Sequence, residues 1–265
     1  MKTIFTCLLS TALAFGAAAQ VKTKGKVVYN EKMKMEMGGE MKGMADLPPD
    51  MQKKIEEMMK KMEKKKRLKV LYFNPEESLY MNAPEEDKEA EQLDVQEGGI
   101  RMKMEFGEDD MRVYKNVKAK EVLRQEDFMG KRFLVNDEVE GVKWKLENET
   151  KEILGYSCKK AWFVTEEKGD TVTAWYTSQI PVSAGPLGVG ELPGLVLEST
   201  MADGKLTVTA EKIDFDTDIS AKLLKPSSGK KISAEKFEKI RKEKEAEMKE
   251  FEGGDGNFQI QIRHN

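Results

Sequence analysis

The sequence predicts a mainly β protein, an antiparallel curved sheet or half-open barrel with one amphipathic helix on its N-terminal side and one at its C-terminal end. Short segments in which apolar and polar residues alternate follow one another along residues 100–146, as in strands. Turn signals separate these segments at short intervals, which is typical of an antiparallel meander. Apolar residues recur at helical spacing mainly near residues 51–67 and 234–252.

Residues 1–19 have the pattern of a secretory signal peptide. Lys2 precedes an apolar run over residues 4–15 and small residues at 16–19, and the run is too short to anchor in a bilayer. We therefore expect secretion across the inner membrane, with the mature protein periplasmic or associated with the outer membrane. In residues 20–265 the only cysteine is Cys158, so no intramolecular disulfide can form there.

Residues 20–265 are expected to form a single domain, with a Met- and Lys-rich helical insertion at about 38–67. The net charge of −3, from 45 basic and 48 acidic residues, gives no reason to expect a nucleic-acid partner. No run after the signal is apolar enough to predict a transmembrane span.

The first strand begins at Lys26, and its alternation continues to residue 37. This places Met33, Met35 and Met37 on the same face as Tyr29. A helix is then predicted, with Asp50 capping its N-terminus. Its apolar stripe consists of Met51, Ile55, Met58, Met59 and Met62.

The remaining elements follow from alternation and turn residues. Strands are predicted at 68–73, 78–81, 100–106, 111–114, 120–125, 131–135, 142–146, 153–164, 171–177, 195–200 and 205–213. The acidic stretch 83–99 has no apolar period and is expected to be a mobile loop. Ser233 caps a second helix over 234–252, and the alternating segment 258–262 could close a sheet edge.

Several motifs occur in order between residues 151 and 198. They are Ile153-Leu154-Gly155-Tyr156, Cys158-Lys159-Lys160-Ala161, Ala174-Trp175-Tyr176-Thr177, Ile180-Pro181-Val182-Ser183, Gly185-Pro186 and Leu192-Pro193-Gly194-Leu195-Val196. This series resembles the GLPGLI family of secreted Bacteroidetes proteins. The resemblance implies a signal-bearing envelope protein of uncharacterised activity and supplies no catalytic residues.

Two positions depart from the family motif. Val196 replaces an isoleucine, which is a mild change on a strand. Glu191 stands where the family has its first glycine, which argues against a left-handed or side-chain-free backbone at that position.

The Pro/Gly loop, residues 178–194, connects two predicted strands. Leu192-Pro193-Gly194-Leu195 favours a type II turn, because proline presets the second position and glycine tolerates positive φ at the third. The loop could simply pack over one end of the sheet, which is the more ordinary role. Alternatively it could be a rigid docking surface, formed by Pro186, Leu192, Pro193, Gly194 and Leu195.

Methionine is concentrated in residues 33–62. Core packing is the simplest use of Met33, Met35, Met37, Met51, Met58 and Met62. An adaptable groove for a peptide or lipid is a second use, and Cu(I) binding through thioethers is a third. No metal site or cofactor is predicted, because Cys158 is alone and His264 lies at the end of the chain.

No catalytic constellation is visible. The single histidine excludes most histidine-based triads, and no carboxylate pair stands in apolar surroundings. Cys158 reads as a small buried hydrophobe, and Trp162, Trp175 and Tyr176 as core residues. We therefore predict a non-enzymatic envelope protein that docks another envelope protein, for example an outer-membrane receptor, through the Pro/Gly loop or the methionine face. The alternative is a binder of small apolar cargo or Cu(I).

Overall fold

A computed structural model of the protein describes residues 22–34, 48–84, 91–97, 100–108, 110–138, 141–165, 169–251 and 257–264. The first nine strands are β1 Gly25–Met33, β2 Arg67–Phe73, β3 Glu77–Asn82, β4 Glu91–Glu97, β5 Ile100–Glu108, β6 Arg112–Asn116, β7 Glu121–Phe128, β8 Lys131–Glu138 and β9 Lys145–Ile153. The others are β10 Tyr156–Val164, β11 Thr171–Thr177, β12 Leu195–Met201, β13 Leu206–Asp214, β14 Lys230–Ser233 and β15 Asn257–His264. The helices are α1 Pro49–Lys64 and α2 Ala234–Phe251.

Twelve strands form one sheet in the order β14-β8-β7-β6-β3-β2-β1-β13-β12-β11-β10-β9. Neighbours pair antiparallel except β14 with β8, which are parallel. The two outermost strands, β14 and β9, do not pair with each other, so the curved sheet stays open. The predicted mainly β, antiparallel curved sheet is therefore confirmed. A second sheet has the order β15-β5-β4.

The main core lies on the inner face of the curved sheet. Its largest cluster joins residues from strands that are far apart in the sheet order, which requires the sheet to curl around them. The strand members of this cluster include Val27, Tyr29, Leu71, Phe73, Tyr80, Val113, Cys158, Leu195, Leu197 and Val208. Ile180, Val182 and Ala184 of the Pro/Gly loop belong to the same cluster. The loop is thus part of the core.

Of the three aromatic residues predicted for the core, Tyr176 is buried. Trp162 and Trp175 are only half-buried. Lys145 lies over the Trp162 ring at 4.3 Å and Lys151 over the Trp175 ring at 4.3 Å. The lysine side chains therefore cover part of each ring, and Trp175 also packs against the main core.

The outer face is covered by the long connection from β13 to β14. Ile219 and Leu223 of this connection pack against Val70, Tyr72 and Met81. The connection therefore carries the chain across the sheet to its far edge, where β14 and α2 lie.

Helix α2 is held to the sheet by one aromatic anchor. Phe237 is fully buried and meets Phe128 and Phe133 edge-to-face, with ring centroids 5.9 and 5.2 Å apart. As predicted, Ser233 caps this helix: its Oγ accepts a hydrogen bond from the Lys236 backbone N–H at 3.4 Å.

Helix α1 buries its predicted stripe: Met51, Ile55, Met59 and Met62 are buried and Met58 is half-buried. On the polar side of the helix, Lys60 and Glu56 form an ion pair at 2.6 Å. Asp50, however, does not cap the helix. The N-cap position is Pro48, which has no side-chain acceptor, and Asp50 lies in the first turn.

Two predicted strands have other bounds, one predicted loop contains a strand, and one strand was not predicted. The stretch predicted as a single strand over 153–164 contains a hairpin turn, because Leu154 and Gly155 both have positive φ, 52° and 79°. The strand predicted at 142–146 begins only at Lys145 and runs to Ile153. The expected mobile loop 83–99 contains β4, whose pattern has too few apolar residues to indicate a strand. β14 was not predicted, since its four residues include two lysines.

Candidate functional site

The Pro/Gly loop is bound to the sheet through its backbone. The Leu195 N–H donates to the Ile180 carbonyl at 3.0 Å, and the Val196 N–H donates to the Ala184 carbonyl at 2.9 Å. The Tyr29 hydroxyl donates to the Val196 carbonyl at 2.6 Å, and burial raises the Tyr29 pKa far above its ordinary value. The loop therefore satisfies its own backbone groups while it fills the inside of the sheet.

The predicted type II turn does not form. The Gly194 N–H bonds to the Leu192 carbonyl at 2.8 Å, a three-residue γ-turn centred on Pro193. Gly194 does not have positive φ. Glycine is needed there for another reason: a Cβ on Gly194 would lie 2.1 Å from the Thr177 carbonyl oxygen. The loop requires glycine for a close approach of backbones.

Glu191 was expected to argue against a left-handed backbone, and this was wrong. Its φ is +64°, so the glutamate adopts the conformation that the family's glycine favours. Its backbone N–H donates to Ser183 Oγ at 2.8 Å, and its Oε2 accepts from the Val142 N–H at 2.7 Å. The Glu191 side chain therefore joins the loop to the segment that leads into β9.

The same carboxylate faces a buried cation. Lys115 Nζ lies 3.4 Å from Glu191 Oε1 and 3.5 Å from the Gly188 carbonyl oxygen, and the Lys115 side chain is 5% exposed. Burial lowers the Lys115 pKa, and the charge of Glu191 partly offsets this effect. Trp144 Nε1 also donates to the Gly190 carbonyl, at 2.9 Å. Two other segments of the chain thus hold the loop tip.

Of the five loop residues predicted for docking, four are buried: Pro186, Leu192, Gly194 and Leu195. Pro193 is exposed. The loop therefore offers a partner little side-chain surface without opening.

The predicted methionine face is divided in the same way. Met51 and Met62 are buried, whereas Met33 and Met58 are half-buried. Met35 and Met37 lie outside the described residues. The thioethers of α1 therefore act first as packing groups.

A large open cleft lies at the β14 edge of the sheet, with a volume of about 1080 Å³. That volume is at the upper end of typical ligand clefts, roughly 300–1,000 Å³. Its walls are the outer face of β7 and β8, the end of the β13–β14 connection, β14 itself and the first turns of α2. We call it the lysine cleft, since five of its residues are Lys225, Lys230, Lys231, Lys236 and Lys239.

The charges of the lysine cleft are only partly balanced. Lys225 pairs with Glu121 at 2.5 Å, and Lys239 meets Glu243 at 4.0 Å. The other three lysines, Lys230, Lys231 and Lys236, are exposed and have no ion pair with any described residue. The cleft therefore carries an excess of positive charge in a concave surface, which concentrates its field.

Aliphatic side chains line the cleft between the lysines. They are Leu123, Leu134, Ile232 and Ile240; Leu134 is buried and the other three are half-buried. A ligand that combines negative charge with apolar groups would match this lining.

Sequence reasoning missed this cleft because its residues come from four separate segments. The available signal was Lys225-Pro226-Ser227-Ser228-Gly229-Lys230-Lys231, a turn with lysines on both sides just before a helix cap. A charge run of this kind usually reads as a solvated surface. Only the sheet order brings it beside Leu123 and Leu134.

Cys158 is fully buried, as predicted, and burial raises its thiol pKa to about 11. It is therefore neutral and inert at ordinary pH. Among the described residues, no group of three or more His, Cys, Asp or Glu side chains is arranged to hold a metal ion. None of the described helices combines the length and apolarity that crossing a membrane requires.

The fold and the cleft define a mainly β protein with an open curved sheet and a basic groove at one edge. Residues 101–247, more than half of the chain, match the family model "N-glycanase peptide, N-terminal domain". The chain therefore belongs to this family.

Two crystal structures of PNGF-II are similar to the chain at 17% sequence identity, with TM-scores of 0.48 and 0.47. Each match covers 82% of this chain but only 33% and 32% of the other, so the chain spans about a third of the solved structures' length. A search of curated proteins found no match.

Proposed function

We propose that this chain is a non-enzymatic binding protein of the cell envelope that holds another envelope component in the lysine cleft. The observation that carries the proposal is the cleft itself: three exposed lysines without ion-pair partners among the described residues surround an aliphatic floor in a space of about 1080 Å³. Unbalanced like charges in one concavity repel one another and lower the stability of the free protein. Binding of a partner with the opposite charge relieves this repulsion.

The choice of the cleft follows from burial. The Pro/Gly loop and the α1 methionines are largely inside the protein, so we assign them to support of the fold. The lysine cleft is open and its charged groups are accessible. The alternative function, binding of a small apolar cargo, would use the same cleft through Leu123, Ile232 and Ile240.

The envelope location rests on residues 1–19, whose pattern is that of a secretory signal peptide. Kinship with GLPGLI proteins, which we also propose, supports the same location through the Leu192-Pro193-Gly194-Leu195 motif. An envelope protein on the outer membrane, such as a receptor, is the partner we favour.

Family membership favours a second candidate. The family is named for the N-terminal domain of an N-glycanase, so the chain could contribute to the removal of N-linked glycans. Incubation of the purified chain with a glycoprotein that carries such glycans, followed by mass spectrometry, tests this directly. Glycan release would overturn the non-enzymatic proposal.

The binding proposal is tested by site-specific photocrosslinking in the native envelope. A crosslinker replaces Asn136, which is exposed in the cleft, and a matched crosslinker replaces Lys159, which is exposed on β10. We expect a discrete adduct from position 136 alone. The adduct should disappear when Lys230, Lys231 and Lys236 are changed to Glu. Equal adducts from both positions, or an adduct that survives the triple change, would remove the cleft as the site.

A further inference from the structure

The strand that borders the lysine cleft has a free edge. β14 is the outermost strand of the twelve-stranded sheet, and it pairs with β8 alone among the described strands. An edge strand presents unpaired backbone N–H and C=O groups that can bond to an added strand. All four residues of β14 also line the cleft.

The side chains next to this edge determine what could be added. Lys230 and Lys231 belong to the strand, and Lys236 extends the positive charge along the first turn of α2. Ile232 and Ile240 provide an aliphatic wall between the lysines. Backbone, charge and apolar contacts therefore lie together along one short line.

We infer that the lysine cleft receives an extended acidic segment of a partner protein, in which aliphatic residues separate the acids, and that this segment adds to β14 as a further strand. The inference rests on the proposed function, which requires only that the cleft binds something. Backbone bonding to β14 would give affinity, and the lysines would select the acids. At ~3.3 Å per residue, four residues of β14 match a partner segment of about four to six residues.

A simpler role for lysines on an edge strand is protection against aggregation. Lys230 and Lys231 suit that role. Lys236 does not, because it lies on α2 rather than on the edge, yet it lines the same cleft. The aliphatic residues Ile232 and Ile240 also do not protect the edge against aggregation, since partly exposed apolar groups favour unwanted association. The lysines and the aliphatic residues together therefore fit binding of a partner segment better than protection against aggregation.

The test uses a fluorescent peptide in which Glu and Val alternate, and a control peptide in which Lys replaces Glu. Binding to the full chain is measured by anisotropy, and hydrogen exchange is measured at the β14 amides. We expect the acidic peptide to bind at least ten times more tightly than the basic one, and to slow exchange at β14.

Variants connect the binding to the cleft. Changing Lys230, Lys231 and Lys236 to Glu should weaken binding of the acidic peptide at least tenfold. A matched variant changes Lys53, Lys54 and Lys159 to Glu, and it should bind like the wild type. These three lysines are also exposed, and they lie outside the cleft. Circular dichroism and thermal unfolding establish that both variants are folded.

Several results would overturn the inference without touching the proposed function. Lysine-dependent peptide binding with no protection of β14 would exclude strand addition. Lysine-dependent binding to vesicles of anionic phospholipid, with no peptide binding, would replace the peptide by a membrane surface. If neither the peptide nor the vesicles bind but the crosslinker at position 136 still forms its adduct, the acidic segment is excluded and the proposed function stands. If the adduct is also absent, both the inference and the proposed function are overturned.

Discussion

The Pro/Gly loop lies inside the curved sheet and the lysine cleft lies at its β14 edge, and the two regions treat their polar groups in opposite ways. The loop is strained, with Leu187 and Glu191 at positive φ, yet its backbone and charges are bonded within the protein. The cleft is unstrained but leaves three lysines unpaired among the described residues. Strain persists only where the surroundings enforce it, so the loop is structural. Unpaired charge on a concave surface is better explained by a partner.

The largest expected effect is at Gly194. In Gly194→Ala the new Cβ would lie 2.1 Å from the Thr177 carbonyl oxygen, so the loop must leave β11. We expect a loss of about 3 kcal/mol or more in the free energy of unfolding, measured by urea denaturation. Gly141→Ala is the control, because no atom of the described part of the chain lies within 4 Å of a Cβ there. Similar small effects in both variants would show that the loop is not held rigidly.

Glu191 should give the next largest effect. Glu191→Gln keeps an acceptor for the Val142 N–H but leaves the buried Lys115 charge without its carboxylate. We expect a loss of about 2 kcal/mol, since breaking a buried pair exposes the cost of the remaining charge. In a double-mutant cycle, Lys115→Met should rescue part of that loss. Strictly additive losses would mean that the two side chains do not interact.

A smaller effect on stability, which depends on pH, is expected at Glu126, on the strand β7. Glu126 is 4% exposed, and its Oε1 has no hydrogen-bond partner among the residues that the structure describes. Burial raises its pKa above 4.5, while Arg124 and Arg241 pull it down and Glu238 pushes it up. The folded state therefore holds the Glu126 proton more tightly than the unfolded state does. The stability that this proton contributes is present at low pH and is lost as pH rises through the folded pKa.

Glu126→Gln should remove that loss. At neutral pH we expect the variant to be more stable than the wild type by about 1 kcal/mol. This advantage should disappear at acid pH well below the ordinary glutamate pKa, where Glu126 is protonated in both the folded and the unfolded wild type. Thermal unfolding across this pH range measures the difference. A variant that is less stable at neutral pH would mean that the Arg241 ion pair outweighs burial.

The sequence predicted the regular parts of the fold where alternation was strong. β2, β3 and β11 combine apolar and aromatic residues with clear turns at their ends, so they were identified nearly to their ends. β4 and β14 were missed, because Glu91–Glu97 and Lys230–Ser233 form strands through pairing with β5 and β8 rather than through an apolar pattern. Tertiary pairing overrides weak local preference in such strands.

The candidate site was harder to predict. The loop motif showed where glycine and proline are needed, but not that the loop turns inward, since burial depends on the curl of the whole sheet. The cleft depends on a parallel pairing between β14 and β8, which follows a connection of some length across the outer face. No local pattern contains that information.

The smallest expected effect on stability is at the lysines, and its sign separates the two regions. If Lys230, Lys231 and Lys236 are held for a partner, their mutual repulsion weakens the free protein slightly. The triple change to Ala should then raise the free energy of unfolding at low salt, by no more than ~0.5 kcal/mol in total. High salt should abolish the gain, because it screens exposed charges.

Urea denaturation at two salt concentrations measures this gain, and changing Lys53, Lys54 and Lys159 to Ala is the control. These control lysines are exposed but not gathered in one concavity, so their removal should leave stability unchanged at either salt concentration. A clear loss of stability in the cleft variant would mean that its lysines support the fold, as Lys115 does in the loop. A gain would show that the clustered charge of the cleft, unlike the charge of Lys115 beside the loop, does not support the fold.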